Sequence, residues 1–364
     1  MIKKQYKGRI LQIIPDYLFA GAERMTEYLS IELVHRGWEV FAVSLFDRRT
    51  SITDELENSG VKVRFLGKKR GFDMSMIVKL RRLFIELKPD VIHSHRYCMQ
   101  YTEFANLGLK IPHVHTIHNI ANQEVPRRIQ AIQRCAFRSG RSVPVAINET
   151  VRKSICDLYN LSDRKVPLVY NGIPNYNPKP IEKIPGLLDS FTFLTIGRAA
   201  PQKNQRVLVQ SFVRFHKKYS ETKLLIIGDG ECFADVASEI ERLKANSFIF
   251  QLGQLSNARD YYYDADAFVL PSLYEGMPMT LIEAMTAGIP VLASNRGGSV
   301  DLVKDGVTGY CCEPDEAGIS NGLTRIYTDP KRQMIAHSGQ LISRKYTVEA
   351  MTDGYEKVYS QCML

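Results

Sequence analysis

The chain has 364 residues, 45% of them hydrophobic and 24% charged, proportions of an ordinary globular protein that exclude disordered, collagenous and coiled-coil classes. At about 150 residues per domain, the length predicts two domains. The formal net charge of +9 is uneven: residues 1–170 hold 28 Lys+Arg against 17 Asp+Glu, a net of +11, while residues 171–364 hold 20 against 22, a net of −2. Short apolar runs then alternate with helical periodicity along the chain. Strands are predicted at Ile10–Ile14, Glu39–Ser44, Val61–Phe65, Val91–Ser94, Pro112–Thr116, Ser142–Ile147 and Val166–Tyr170, with helices at Ala22–His35, Ser75–Leu87, Val125–Ser139 and Glu149–Leu158. The Pro-rich stretch Asn171–Pro185 reads as a linker, because proline suits neither a helix interior nor a central strand. The pattern restarts with strands at Phe191–Ile196, Lys223–Ile227, Phe248–Leu252, Ala267–Leu270 and Val291–Ala293, and helices at Gln205–Lys218, Cys232–Leu243, Met279–Ala287 and Ala317–Tyr327. Repeated βα units predict an α/β protein of two Rossmann-like, doubly wound domains, residues 1–171 and 172–345, facing across a cleft. A final amphipathic helix over residues 346–364 is expected to pack back on the first domain.

No stretch approaches the roughly 18 apolar residues of a membrane span. Met1–Lys7 is basic and runs straight into a strand candidate, without the apolar core and cleavage site of a secretion signal. Seven cysteines, an odd set with no C-x-x-C pair, predict reduced thiols and a cytoplasmic protein.

The richest segment runs from Leu270 to Ser294 and contains Y-E-G-M-P-M-T-L-I-E-A-M-T-A-G-I-P-V. A strand ends at Leu270, a loop carries Glu275-Gly276-Met277, and Pro278 stands at the expected first turn of a helix. Proline is tolerated there because its missing N–H has no partner in any case. The amides of Met279, Thr280 and Leu281 are expected at a positive helix end, a site suited to phosphate. Glu275 in the loop and Glu283 about one turn into the helix are acceptor-only carboxylates, suited to sugar or ribose hydroxyls. Arg198 follows the strand ending at Ile196-Gly197, and Lys203-Asn204 opens the next helix. Together Arg198 and Lys203 can neutralise a departing diphosphate.

The Glu275-x7-Glu283 spacing resembles the signature of glycosyltransferase family 4. The resemblance extends over nearly the whole chain: Phe19-Ala-Gly21-Ala-Glu-Arg24, Pro89-Asp-Val-Ile-His-Ser-His95, Thr116-Ile-His118-Asn119, Asn171-Gly-Ile173, Gly197-Arg198 with Lys203-Asn204, Gly228-Asp-Gly230, and Gly297-Gly298 before Asp301. It implies a retaining, metal-independent enzyme of the GT-B fold that takes a nucleotide sugar, by family default a UDP-sugar, as substrate and needs no cofactor. By resemblance Arg198 and Lys203 bind the donor phosphates, Glu275 the donor sugar and Glu283 the ribose. Gly21, Gly197, Asn204, Gly276, Met277, Met279, Thr280 and Leu281 line the donor site. His118 contacts the sugar near the reacting carbon, with His95 and Asn119 beside the acceptor. Gly21 is the expected close-approach glycine of the first loop. In Gly228-Asp-Gly230 the third position of a dinucleotide fingerprint is Phe233, which argues against a pyrophosphate there.

Five of the eight histidines lie between residues 93 and 118, and His93/His95 and His113/His115 are i,i+2 pairs. Such pairs share a strand face, the arrangement of a zinc site, but no carboxylate completes a set and no metal is expected. The basic stretches Lys62–Arg70, Lys79–Arg82 and Arg127-Arg128, with Phe72, Met74 and Met76 nearby, predict an anionic membrane surface and a glycan or polyprenyl-diphosphate-linked acceptor for the first domain, and hence a peripheral position at the inner membrane face. Nucleic acid is not expected, since no recognition motif or aromatic platform accompanies the charge. Two other readings remain: a sugar-nucleotide epimerase of the same architecture, and a two-domain sugar-binding protein without chemistry.

Overall fold

The computed structural model describes residues 6–181 and 190–363; Pro185 of the expected linker lies outside them. The chain divides into two compact units, one running through Pro174 and resuming at Tyr346, the other Asn175–Lys345.

The first unit holds six strands: β1 (Arg9–Ile14), β2 (Glu39–Ser44), β3 (Lys62–Phe65), β4 (Val91–His95), β5 (His113–Ile117) and β6 (Val143–Ala146). They form one parallel sheet in the order β3-β2-β1-β4-β5-β6. The second unit holds β7 (Phe191–Ile196), β8 (Thr222–Ile227), β9 (Ile249–Gly253), β10 (Ala267–Leu270), β11 (Val291–Ser294) and β12 (Tyr310–Cys312). Its order, β12-β11-β10-β7-β8-β9, is the same topology, and every pair is again parallel. Parallel sheets are covered on both faces, which explains the almost continuous apolar strands. Leu11, Ile13, Phe41 and Val43 pack with Met76, Leu80 and Phe84 in the first core. Phe193, Leu224, Ile226 and Val269 pack with Leu208, Phe212 and Phe215 in the second. In this topology the strand order reverses beside β1/β4 and β7/β10, and ligands bind beyond the carboxyl ends of strands at that point.

Several expected elements differ. Val166–Tyr170 is no strand but a single bridge, Ala146↔Leu168, because Pro167 has no N–H to extend a ladder. The helix expected from Val125 begins at Arg127, with Pro126 extended before it. Helices Ser51–Asn58, Met99–Ala105 and Arg332–Ser343, and strand β12, were not expected. The first of these is announced by a Thr50/Thr53 capping box rather than by apolar spacing. β12 has only three residues, too few for a period to show.

The last helix, Val348–Met363, belongs to the first unit. Tyr355 and Tyr359 are fully buried there, Glu356 accepts from Trp38 Nε1 at 2.7 Å and pairs with Arg36 at 2.8 Å. The crossing point explains Asn171-Gly-Ile173: Ile173 N–H donates to Tyr346 O, Val348 N–H to Ile173 O, and a Cβ on Gly172 would lie 2.0 Å from Thr347 O. No helix among the described residues is long and apolar enough to cross a membrane.

Candidate active site

In the second unit the switch point is built from the exits of β7 and β10. Beyond β7, Gly197 and Arg198 lead into a turn, Pro201–Lys203, and a helix, Gln205–His216. Beyond β10, the loop carries Glu275 to the helix Met279–Ala287. The two exits meet at a charge pair, with Lys203 Nζ 2.6 Å from Glu275 Oε1, the side chains 19% and 7% exposed. Gln202, not singled out by the sequence, donates from Nε2 to Tyr274 O at 2.8 Å and to Glu275 Oε2 at 3.3 Å. Its carbonyl accepts from Leu273 N–H. Both oxygens of Glu275 are therefore held by consecutive residues of one turn.

The carboxylate's backbone is fixed from a third side. Gly298 N–H donates to Glu275 O at 2.9 Å, and Gly297, at φ +55°, lies so close that a Cβ would come within 2.5 Å of that carbonyl. The same logic accounts for Gly228-Asp-Gly230. A Cβ on Gly228 would sit 2.1 Å from Gly197 O, and one on Gly230 2.5 Å from Ala199 O. Ala199 N–H donates to Asp229 O, and Cys232 N–H to Ala199 O. These glycines cradle the Gly197–Ala199 backbone and so aim Arg198, whose side chain is 44% exposed and reaches Glu231 only at 3.8 Å.

Pro278 is the residue before the helix rather than its first residue, and Leu281 N–H donates back to Pro278 O at 3.2 Å. The expected set of three amides is thus reduced to Met279 and Thr280, which no side chain caps. Thr280 Oγ1 is buried without a hydrogen-bond partner, the mark of a site suited to a polar ligand. Asn204 is left-handed at φ +58°, and its Nδ2 is spent on Pro271 O and Pro314 O, so it locks the turn. Gly276 and Met277 are buried beside Glu275. Glu283 accepts from Tyr262 Oη at 3.1 Å and lies 3.4 Å from Arg259 Nε.

In the first unit the loop after β1 ends at the helix Gly21–His35, whose cap residue Ala20 makes no side-chain bond. Nothing lies within 4 Å of where a Gly21 Cβ would be, so glycine there leaves open space above the helix end rather than relieving strain. After β4, Arg96 is left-handed at φ +54° and pairs with the buried Glu23 at 2.7 Å. After β5, Glu124 Oε2 accepts from the amides of His118 and Asn119, at 2.7 and 3.1 Å. Asn119 Oδ1 accepts from Ile120 N–H and so closes the turn. Burial raises the Glu124 carboxyl to about 8 and, with the nearby Arg96 charge, lowers His118 to about 3.

The histidine pairs lie on opposite faces of the sheet. His93 and His95 face Tyr359 and Gln12, whereas His113 and His115 share Ser94 Oγ at 2.7 and 2.8 Å. Glu103, which the sequence did not single out, accepts from His113 Nδ1. No group of three or more His, Cys, Asp or Glu side chains suited to a metal occurs among the described residues. His95 is fully buried, and its Nδ1 lies 2.9 Å from His118 Nε2. One member of the expected basic patch is internal, Lys68, which donates to Lys69 O and Gly71 O beneath Phe46 and Tyr101, and of the apolar residues expected beside the patch Met76 is core.

Comparison with known proteins places the family and the fold. The family described as Glycosyltransferase Family 4 matches residues 19–175, and Glycosyl transferases group 1 matches residues 179–340. The chain is 28% identical to the UDP-Gal:alpha-D-GlcNAc-diphosphoundecaprenol alpha-1,3-galactosyltransferase of Escherichia coli, over 71% of each chain. It is 26% identical to the alpha-monoglucosyldiacylglycerol synthase of Acholeplasma laidlawii, over 94% of each. Among solved structures, Anabaena HepE in complex with UDP and glucose is similar with a TM-score of 0.85 at 18% identity, over 97% of this chain and all of that one. Two Rossmann-type units, the Glu275–Glu283 signature and matches along both halves make this chain a member of glycosyltransferase family 4, with the GT-B fold.

Proposed function

We propose that the protein is a retaining, metal-independent glycosyltransferase that moves a hexosyl-type sugar from a UDP-sugar to a glycan or polyprenyl-diphosphate-linked acceptor in cell-surface polysaccharide synthesis. The Lys203–Glu275 pair at the β7/β10 switch point carries this reading. It puts a cation for the diphosphate and a carboxylate for sugar hydroxyls in adjoining positions, beside the uncapped amides of Met279 and Thr280. The relatives support the donor and acceptor classes: one is named for UDP-galactose and a diphosphoundecaprenol-linked sugar, another for a glucosylated diacylglycerol.

In the reaction, the bond from the anomeric carbon to the β-phosphate oxygen breaks, and the acceptor oxygen bonds to that carbon on the same face. The acceptor proton passes to the departing phosphate oxygen. Arg198, Lys203 and the two helix amides stabilise the charge that develops on the diphosphate, and they are in place before it forms. Glu283 holds the ribose. The basic first unit presents the acceptor and rests on anionic lipid at the inner membrane face.

A panel of nucleotide sugars, scored for thermal stabilisation and slow UDP release, tests this. At least one UDP-sugar is expected to raise Tm and be hydrolysed, and Glu275→Ala to abolish the hydrolysis. Turnover unaffected by Glu275→Ala, or no response to any donor, contradicts it.

A further inference from the structure

The first sheet contains a buried hydrogen-bond chain that begins in the C-terminal helix and ends at His118. Tyr359 Oη, fully buried, lies 2.7 Å from His93 Nδ1 and 3.3 Å from Gln12 Nε2. An amide nitrogen can only donate, so the Tyr359 proton goes to His93. That ring then donates from Nε2 to Thr116 Oγ1 at 2.7 Å, and Thr116 in turn meets Tyr355 Oη at 2.9 Å.

With its nitrogen turned to Tyr359, Gln12 turns Oε1 to His95 Nε2 at 2.9 Å. A carbonyl oxygen only accepts, so His95 carries its proton on Nε2. Burial, with three other imidazoles around it, holds His95 well below the usual histidine range, and a neutral ring has one N–H. His95 Nδ1 is therefore a lone pair, 2.9 Å from His118 Nε2. His118 must donate from that nitrogen. Its Nδ1 makes no hydrogen bond among the described residues, nor is it one of the enclosed unpaired atoms.

We propose that Gln12 and Tyr359 are positioning residues that fix His118 as the Nε2–H tautomer, so that its open Nδ1 is a hydrogen-bond acceptor for a substrate hydroxyl. The ring nitrogen that meets substrate is decided by the bond the other nitrogen makes, and here that bond is set from the last helix. A bare Nδ1 receives a hydroxyl and repels a carboxylate or phosphate oxygen, so the sugar it meets carries a neutral hydroxyl there rather than a uronic acid group. The identity of that sugar rests on the transferase reading; the tautomer does not.

Histidine-selective 15N labelling of the full chain tests the claim directly, with the His118 signals assigned by their loss in His118→Gln. The expected spectrum shows a pyrrole-type Nε2 and a pyridine-type Nδ1 for His118. Tyr359→Phe removes the group that orients the Gln12 amide, and both tautomers of His118 are then expected. A protonated Nδ1 in the wild type, or an unchanged His118 pattern in Tyr359→Phe, overturns the proposal. If the tautomer is as stated while every donor is inert, the transferase reading falls and the relay stands.

Discussion

At the scale of single residues, the account turns on how Glu275 is held. One oxygen faces Lys203 and the other Gln202, so removing Lys203 leaves a buried carboxylate uncompensated, a loss of about 3–5 kcal/mol in such pairs. Lys203→Ala and Arg198→Ala are each expected to lower turnover at least ~10²-fold, the scale of removing one preorganised donor to a developing anion. Near-normal steady-state rates in both variants would remove them from the donor site. Lys203 and Glu275 were legible in the sequence because each sits in a short motif at a strand tip. Gln202 was not, since its partners lie some seventy positions away and no local pattern announces such a bond. Glu124 was hidden for a related reason: a lone glutamate at the end of a short helix looks solvated, yet its carboxyl is enclosed and held at about 8. A carboxyl raised from 4.5 stabilises the fold fully at low pH, and this contribution is lost as pH rises through about 8. Glu124→Gln is therefore expected to match the wild-type Tm below about pH 4.5 and to exceed it by a growing margin as pH rises toward about 8, as thermal melts from acid to mildly alkaline pH would show.

At the scale of elements, the βα alternation was readable because buried parallel strands are short apolar runs and the helices between them keep their own period. The order of the strands was not readable, and neither was the three-residue β12. Pro167 and Pro126 were visible, but their effect on local hydrogen bonding decided two boundaries that apolar spacing had placed elsewhere. The glycine motifs were recognised as motifs; only the structure shows that they hold backbone against backbone. Gly228→Ala would force a Cβ to 2.1 Å from Gly197 O, and Gly297→Ala one to 2.5 Å from Glu275 O. Each is expected to lower stability by ~2 kcal/mol or more, above the ~1 kcal/mol centre of the range for point changes. Chemical denaturation checks this, and a cost below 0.5 kcal/mol would contradict the close approach.

At the scale of the whole molecule, the charge asymmetry seen in the sequence is only partly surface. Lys68 is enclosed, whereas the helix Ser75–Leu87 carries Val78, Arg82 and Ile85 on an outer stripe, with Met74 and Phe72 exposed just before it. At roughly 1 kcal/mol per basic residue near an anionic bilayer, this surface is expected to bring the protein down with anionic vesicles at low salt. A supernatant that retains all the protein would contradict that. Acid should destabilise the fold, because burial holds His93, His95, His115 and His118 below their ordinary value of 6.5. Groups lowered in this way contribute stability above 6.5 that is lost as pH falls toward about 3, so Tm is expected to decline on that side; a flat profile would contradict their enclosure. The most direct test of the central claim is proton NMR of the sugar first released from an α-linked UDP-sugar, before the anomers equilibrate. The account predicts the α-anomer; initial release of the β-anomer would contradict a retaining transfer at this site.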